Sequence, residues 1–134
     1  MIVTSPNGAT NWSTPRFDDA LLEPICMGGI VRYEHGGESI LLFSNPHNLE
    51  GGREGEPESG KSRARKNLGV KLSRDEGQTW PVNQLLEDGP SAYPDVAVTK
   101  DGKILCFYGA GSKLHFAGST LRLTRFNLEW LEKR

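Results

Sequence analysis

SRDEGQTW, Ser73 to Trp80, is the stretch on which the reading of the fold turns. It follows LGVKL, a strand-like run, and it sets Ser, Asp, Gly, Thr and Trp at fixed offsets. Ser and Asp side chains bond nearby backbone N–H groups and close turns. Gly supplies a backbone conformation that other residues resist. Trp80 then has a large ring to bury against a sheet, and Pro81 stands where no backbone donor is needed. The stretch reads as a lock on a turn between strands, and Asp75 reads as structural. A worn copy, SPNGATNW, lies sixty-eight positions earlier, with Ser5, Asn7 and Trp12 in the register of Ser73, Asp75 and Trp80.

The surrounding chain reads as strands and turns. In IVRYEHGGESILLF, strands Ile30–Tyr33 and Ser39–Phe43 flank Gly36-Gly37. In VAVTKDGKILCFY, Asp101-Gly102 separates a strand ending at Val98 from one over Lys103–Tyr108, and Asp-Gly predicts a type I′ hairpin turn with positive φ at both residues. Ile2–Thr4, Leu68–Ser73, Ala92–Val98 and Leu121–Phe126 are further strand candidates. One short helical turn is expected at Leu128–Leu131, capped by Asn127. Asn45 to Lys66, with Gly51-Gly52, Gly55, Pro57 and Gly60, reads as a long surface loop. A strand-built repeat of this period predicts a β-propeller, whose blades are four-stranded antiparallel sheets; the length holds roughly two blades.

Bulk properties agree with one domain of strands and turns. The chain has 134 residues, with 16 Gly and 8 Pro. Sixteen Lys and Arg against 17 Asp and Glu leave a net charge of −1, no electrostatic footprint for nucleic acid. No apolar run is long enough to span a membrane as a helix. Cys26 and Cys106 match no metal spacing and are expected to be buried thiols, with a disulfide between them left open.

SRDEGQTW resembles the Asp-box (BNR repeat) of the sialidase, or neuraminidase, family of glycoside hydrolases. EPICMGGIVRY, LLFSNP, RKNLGVKLSRDEGQTWP, GPSAYPDVAV and RFNLEWL resemble family segments in family order, from Glu23 to Leu131. The resemblance implies an all-β fold: part of a six-bladed propeller, roughly its last two blades. The whole chain, residues 1–134, is then a C-terminal portion of that domain. It implies exo-α-sialidase chemistry on sialylated glycans, retaining, with a tyrosine nucleophile, and no metal or cofactor. Arg65, opening RKNLGVKL, matches the third of the family's carboxylate-clamping arginines, with Arg63 the fallback if the register slips by two. Tyr93 in GPSAYPDVAV matches the nucleophile. Ser73, Asp75, Gly77, Thr79 and Trp80 form the structural box. On residue pattern alone, Arg65 would be an exposed basic residue and Tyr93 a core tyrosine.

The other two arginines, the acid/base Asp and the Glu that activates tyrosine have no match in the chain. Glu23, Glu34 and Asp95 are carboxylates without a family position. Gly109 stands where the family often has a Glu that orients an arginine, and Pro94 replaces the Ser that usually follows the tyrosine. Pro lacks an N–H, so the strand should be unpaired there. The alternative expectations are a non-catalytic glycan-binding module closing its ring as an oligomer, or a vestigial sialidase-like protein.

Overall fold

The computed structural model describes residues 1–50, 64–111 and 120–133. Six strands run in chain order through one antiparallel meander: β1 Gly29–His35, β2 Glu38–Pro46, β3 Lys66–Ser73, β4 Val82–Val98, β5 Ile104–Ala110 and β6 Thr120–Phe126. β4 is 17 residues long and serves two sheets. Its first half pairs with β3, with Val82 opposite Leu72, and completes a four-stranded sheet. From Ser91 onward it pairs with β5, with Ser91 opposite Ala110, and opens a second sheet with β5 and β6. The strands curl over one core, which is the arrangement of a partial β-propeller.

Period-2 alternation builds that core. Leu68, Val70 and Leu72 of β3 meet Ile40 and Leu42 of β2, Tyr33 of β1, and Val96, Ile104, Cys106 and Tyr108 from the second sheet. Glycine allows the close approach of the sheets: a Cβ on Gly29 would lie 2.9 Å from the Asp95 Cα. Gly36 and Gly37 both have positive φ and make the β1–β2 hairpin the two-residue turn that the sequence predicts. The Asp101-Gly102 hairpin differs from expectation. Only Gly102 has positive φ, because the Thr99 hydroxyl accepts from the Lys103 N–H and widens the loop. The helical turn α1, Leu128–Leu131, is capped as expected, with Asn127 Oδ1 accepting from Trp130 N at 3.0 Å.

Two expectations are corrected. Ile2–Thr4 is no strand; Ile2 makes an isolated antiparallel bridge to Arg16, and Thr4 spends its N–H on the Ser13 hydroxyl rather than on a ladder. The loop placed at Asn45–Lys66 is shorter than that, because Asn45 and Pro46 close β2 and Lys66 opens β3; residues 51–63 lie outside the described residues.

The box closes as its residue types dictate. Asp75 Oδ1 accepts from Ser73 Oγ and from Thr79 N, both at 2.8 Å, and Oδ2 accepts from Thr79 Oγ1 at 2.6 Å. Gly77 sits at φ 78° and donates its N–H to Ser73 Oγ. The half-buried Trp80 packs its ring on Phe43, centroids 6.0 Å apart. The earlier copy repeats the turn with an amide: Asn7 Oδ1 accepts from Ser5 Oγ, Ala9 N and Thr10 N. Its Trp12 stays 56% exposed.

The hydrogen bond from the Thr79 hydroxyl, then those from Thr79 N and Ser73, hold the Asp75 carboxyl down to about 2. A depressed carboxyl contributes stability that is present above its unfolded value of 3.8 and lost as pH falls toward 2. Urea midpoints should therefore fall over that window in the native chain and fall less in Asp75→Asn. Asp75→Ala should lower the midpoint at neutral pH. Asp75→Asn should do so less, since Asn7 shows that an amide closes this turn; equal losses for both would contradict that reading.

Candidate active site

The site forms where β4 passes from the first sheet to the second. Ala92 pairs with Gly109 and Asp95 with Phe107, so Tyr93 and Pro94 face one residue of β5 across a bulge. This is the interruption that Pro94 predicts. The bulge carries Tyr93 into the left-handed region, φ 53°, and turns its side chain outward, 48% exposed. Tyr93 is therefore no core tyrosine, as pattern alone would have it. The long strand brings it beside Arg65, which precedes β3 and whose carbonyl accepts from Ser91 N at 2.9 Å.

Arg65 and Tyr93, twenty-eight positions apart, are in contact. Arg65 Nη1 donates to Tyr93 Oη at 2.6 Å, and the guanidinium carbon lies 4.9 Å from the ring centroid. Arg65 Nη2 donates to the Ile25 carbonyl at 2.8 Å. These contacts use two of the five guanidinium N–H groups and leave the rest for a planar anion. Cys26 reaches the same point: Tyr93 N donates to its Sγ at 3.3 Å. The expectation of two buried thiols is corrected here, for both cysteines are free and only Cys106 is buried.

The other candidate carboxylates hydrogen-bond to groups outside the pair. Glu23 Oε1 accepts from Cys26 N, Glu34 accepts from Ser39 Oγ, and Asp95 Oδ1 accepts from Val96 N. Gly109, opposite Ala92, puts no charge beside the site. Arg63 lies outside the described residues. An open cleft of about 920 Å³ lies at the other end of the strands, between the β1–β2 and β4–β5 hairpins and α1. Its arginines are paired, Arg32 with Glu76 and Arg74 with Glu132, and it includes neither Arg65 nor Tyr93.

Sequence reasoning missed the backbone around the pair. Among the described residues, five non-glycine residues have positive φ. Asn11 and Glu76 belong to the two box turns; Ile25, Asn67 and Tyr93 surround Arg65. Strained backbone of this kind, each position costing of order 1–3 kcal/mol, gathers at functional sites. A β-branched residue such as Ile25 at φ 62° is especially unfavourable. The only signal in the sequence is that these residues fall inside the family-like segments.

The family model of the BNR repeat-like domain matches residues 1–106. The sialidase of Micromonospora viridifaciens is 26% identical over 97% of this chain, which spans 18% of that protein. A sialidase of Vibrio cholerae is 35% identical over 69% of this chain and 11% of its own length. Among solved structures, the Hadza microbial sialidase Hz136 superposes with a TM-score of 0.58 at 23% identity, covering 81% of this chain and 19% of that one. A mutant of Trypanosoma rangeli sialidase displaying trans-sialidase activity superposes at 0.56 and 18% identity, over 82% of this chain and 15% of that one. The chain thus spans less than a fifth of each of these relatives, and the two superpositions speak to the fold. It belongs to the BNR repeat-like domain family, and within that family it is similar to sialidases.

Proposed function

We propose that this chain is a C-terminal part of an exo-α-sialidase propeller, about two blades of it, which supplies Arg65 and Tyr93 to a site for terminal sialic acid. The contact between Arg65 Nη1 and Tyr93 Oη carries the reading, since it brings together two distant residues whose side chains suit the carboxylate clamp and the nucleophile that sialic acid chemistry requires. The substrate bears a carboxylate beside its anomeric carbon. Arg65 holds that carboxylate through the planar fork of its guanidinium. The Tyr93 oxygen then attacks the anomeric carbon, the bond to the leaving oxygen breaks, and the glycosyl group is carried on tyrosine until water releases it with retention. A neutral phenol approaches a centre flanked by a carboxylate with less repulsion than a second carboxylate would. In this reading the phenol proton goes to a base, and the leaving oxygen takes one from an acid. Both groups, with two more arginines, come from outside this chain's matched positions.

The expected outcome is binding without turnover. The 134-residue chain should release nothing from a fluorogenic sialoside. Titration with free sialic acid should shift the NMR signals of Arg65 and Tyr93 at millimolar ligand. Turnover abolished by Tyr93→Phe would show instead that the chain assembles a complete site.

A second reading, a glycan-binding module without catalysis, has one observation in its favour. Gly109 lies opposite Ala92, adjacent to Tyr93, where the family's orienting carboxylate would be. This reading predicts a light-scattering mass above that of a monomer at micromolar concentration, and a monomer mass would rule it out.

A further inference from the structure

We propose that the strap Leu22–Cys26 is the positioning element of the Arg65–Tyr93 pair, with Cys26 the residue that holds the Tyr93 backbone. The geometry stands by itself; its catalytic consequence rests on the sialidase reading above. The strap meets both residues of the pair. Its Ile25 carbonyl accepts from Arg65 Nη2 at 2.8 Å, and its Cys26 Sγ accepts from Tyr93 N at 3.3 Å.

The Tyr93 backbone needs such a hold. It sits at φ 53° in a bulge where the β4–β5 register skips, and the following residue is a proline. A residue before proline prefers extended backbone, and an aromatic residue gains nothing from the left-handed region. The Cys26 thiol reaches this N–H at sulfur distance, where the ladder with β5 is interrupted.

The strap is itself built to stay in place. Asn45, fully buried in β2, donates from Nδ2 to the Leu22 carbonyl at 2.6 Å. Pro24 is fully buried. Glu23 Oε1 accepts from Cys26 N and closes the turn in which Ile25 takes φ 62°. Beyond the strap, a Cβ on Gly28 would lie 2.8 Å from the Phe43 ring, so the chain leaves the site against β2 with no slack. Position is thus passed from the interior of the first sheet through Leu22 to the bulge of the second.

The test uses the isotopically labelled full chain with Cys26→Ala and Cys26→Ser. Cys26→Ala should speed amide exchange of Tyr93 by roughly tenfold and move its Cα and Cβ shifts, while Val96, Val70 and Ile104 in the core keep their protection. Cys26→Ser, which restores an acceptor, should return Tyr93 to within a few fold of the native rate. If Cys26→Ala loses its core protection, Glu23→Ala carries the test, since it frees Cys26 N without touching Tyr93. Unchanged Tyr93 exchange and shifts in a folded variant would overturn the proposal. Sialic acid titration of the same samples separates the two readings. Weaker binding in Cys26→Ala than in Cys26→Ser supports both. Failure of the native chain to bind, with Tyr93 exchange still responding to Cys26, overturns the sialidase reading and leaves the strap standing. Equal binding in all samples despite the exchange response confines the strap to the Tyr93 backbone and overturns its hold on the Arg65 clamp.

Discussion

Lys71→Met should stabilise the fold at pH 7 by roughly 2 kcal/mol and abolish a rise in stability that the native chain shows between pH 8 and 9. Lys71 has no exposure at all, and β3 is buried on both faces around it. Its ammonium donates to Asn45 Oδ1 at 2.5 Å and lies 5.8 Å from the Phe43 ring centroid; among the described residues it has no carboxylate partner. Desolvation pushes it down from 10.5 to about 8, a penalty on the charged form of about 3 kcal/mol. Methionine keeps the length without the charge, but it orphans Asn45 Oδ1, which returns about 1 kcal/mol. The sign follows from proton counts. Below pH 8 both states carry the proton and the folded state bears the full penalty. Between about 8 and 10.5 the unfolded chain binds more protons, so stability rises with pH. Cys106 opposes this at the upper end, because burial raises its thiol from 9.0 to about 11 and stability falls as pH passes through that range. The lysine contribution is therefore clearest from pH 8 to 9, where it amounts to about 1 kcal/mol. Urea unfolding at half-unit pH steps checks it. A native curve flat or falling from 8 to 9, or a Lys71→Met variant that keeps the rise, would remove Lys71 as the cause.

How far the sequence could be read depended on where each residue's partners lie. SRDEGQTW was legible because its hydrogen bonds are local, Asp75 to Ser73 and Thr79. The β1–β2 hairpin was legible because Gly36-Gly37 sets its turn and register together. The first half of β4 was not. Val82–Pro90 mixes Leu85 facing solvent with Glu87 and Asp88, and its strand character comes from pairing with β3. Lys71 escaped notice because a lysine in an alternating strand reads as solvent-facing, whereas here it is buried with its ammonium on Asn45 and over the Phe43 ring. The juxtaposition of Arg65 and Tyr93 was anticipated by resemblance and by no periodicity. The strap was invisible for a different reason: its contacts run to backbone atoms, and its strain at Ile25 exists only in coordinates.

Arg65→Ala should weaken sialic acid binding by more than about tenfold, and the loss should vanish when the ligand's carboxylate is masked. A charge-assisted bidentate contact contributes roughly 1.5–3 kcal/mol, about 10- to 150-fold in affinity. The pairing can be isolated from the ligand side. The methyl ester of sialic acid keeps the ring and the hydroxyls but presents no carboxylate. On the native chain the ester should bind as weakly as free sialic acid binds to Arg65→Ala, and on Arg65→Ala the two ligands should bind alike. Arg65→Lys should recover little, because an ammonium offers a point charge where a planar fork is matched, and it cannot keep both Tyr93 Oη and the Ile25 carbonyl. Tyr93→Phe should behave differently. It removes the acceptor of the 2.6 Å bond but leaves the ring beneath the guanidinium, so affinity for the free acid should change by less than about threefold. That contrast separates the clamp from the nucleophile within a chain that does not turn over. A loss with Arg65→Ala that is as large for the ester as for the acid would mean that Arg65 acts through the fold, through Ile25 and Tyr93, and the clamp assignment would then fail. Circular dichroism of Arg65→Ala, expected to match the native chain, completes the measurement.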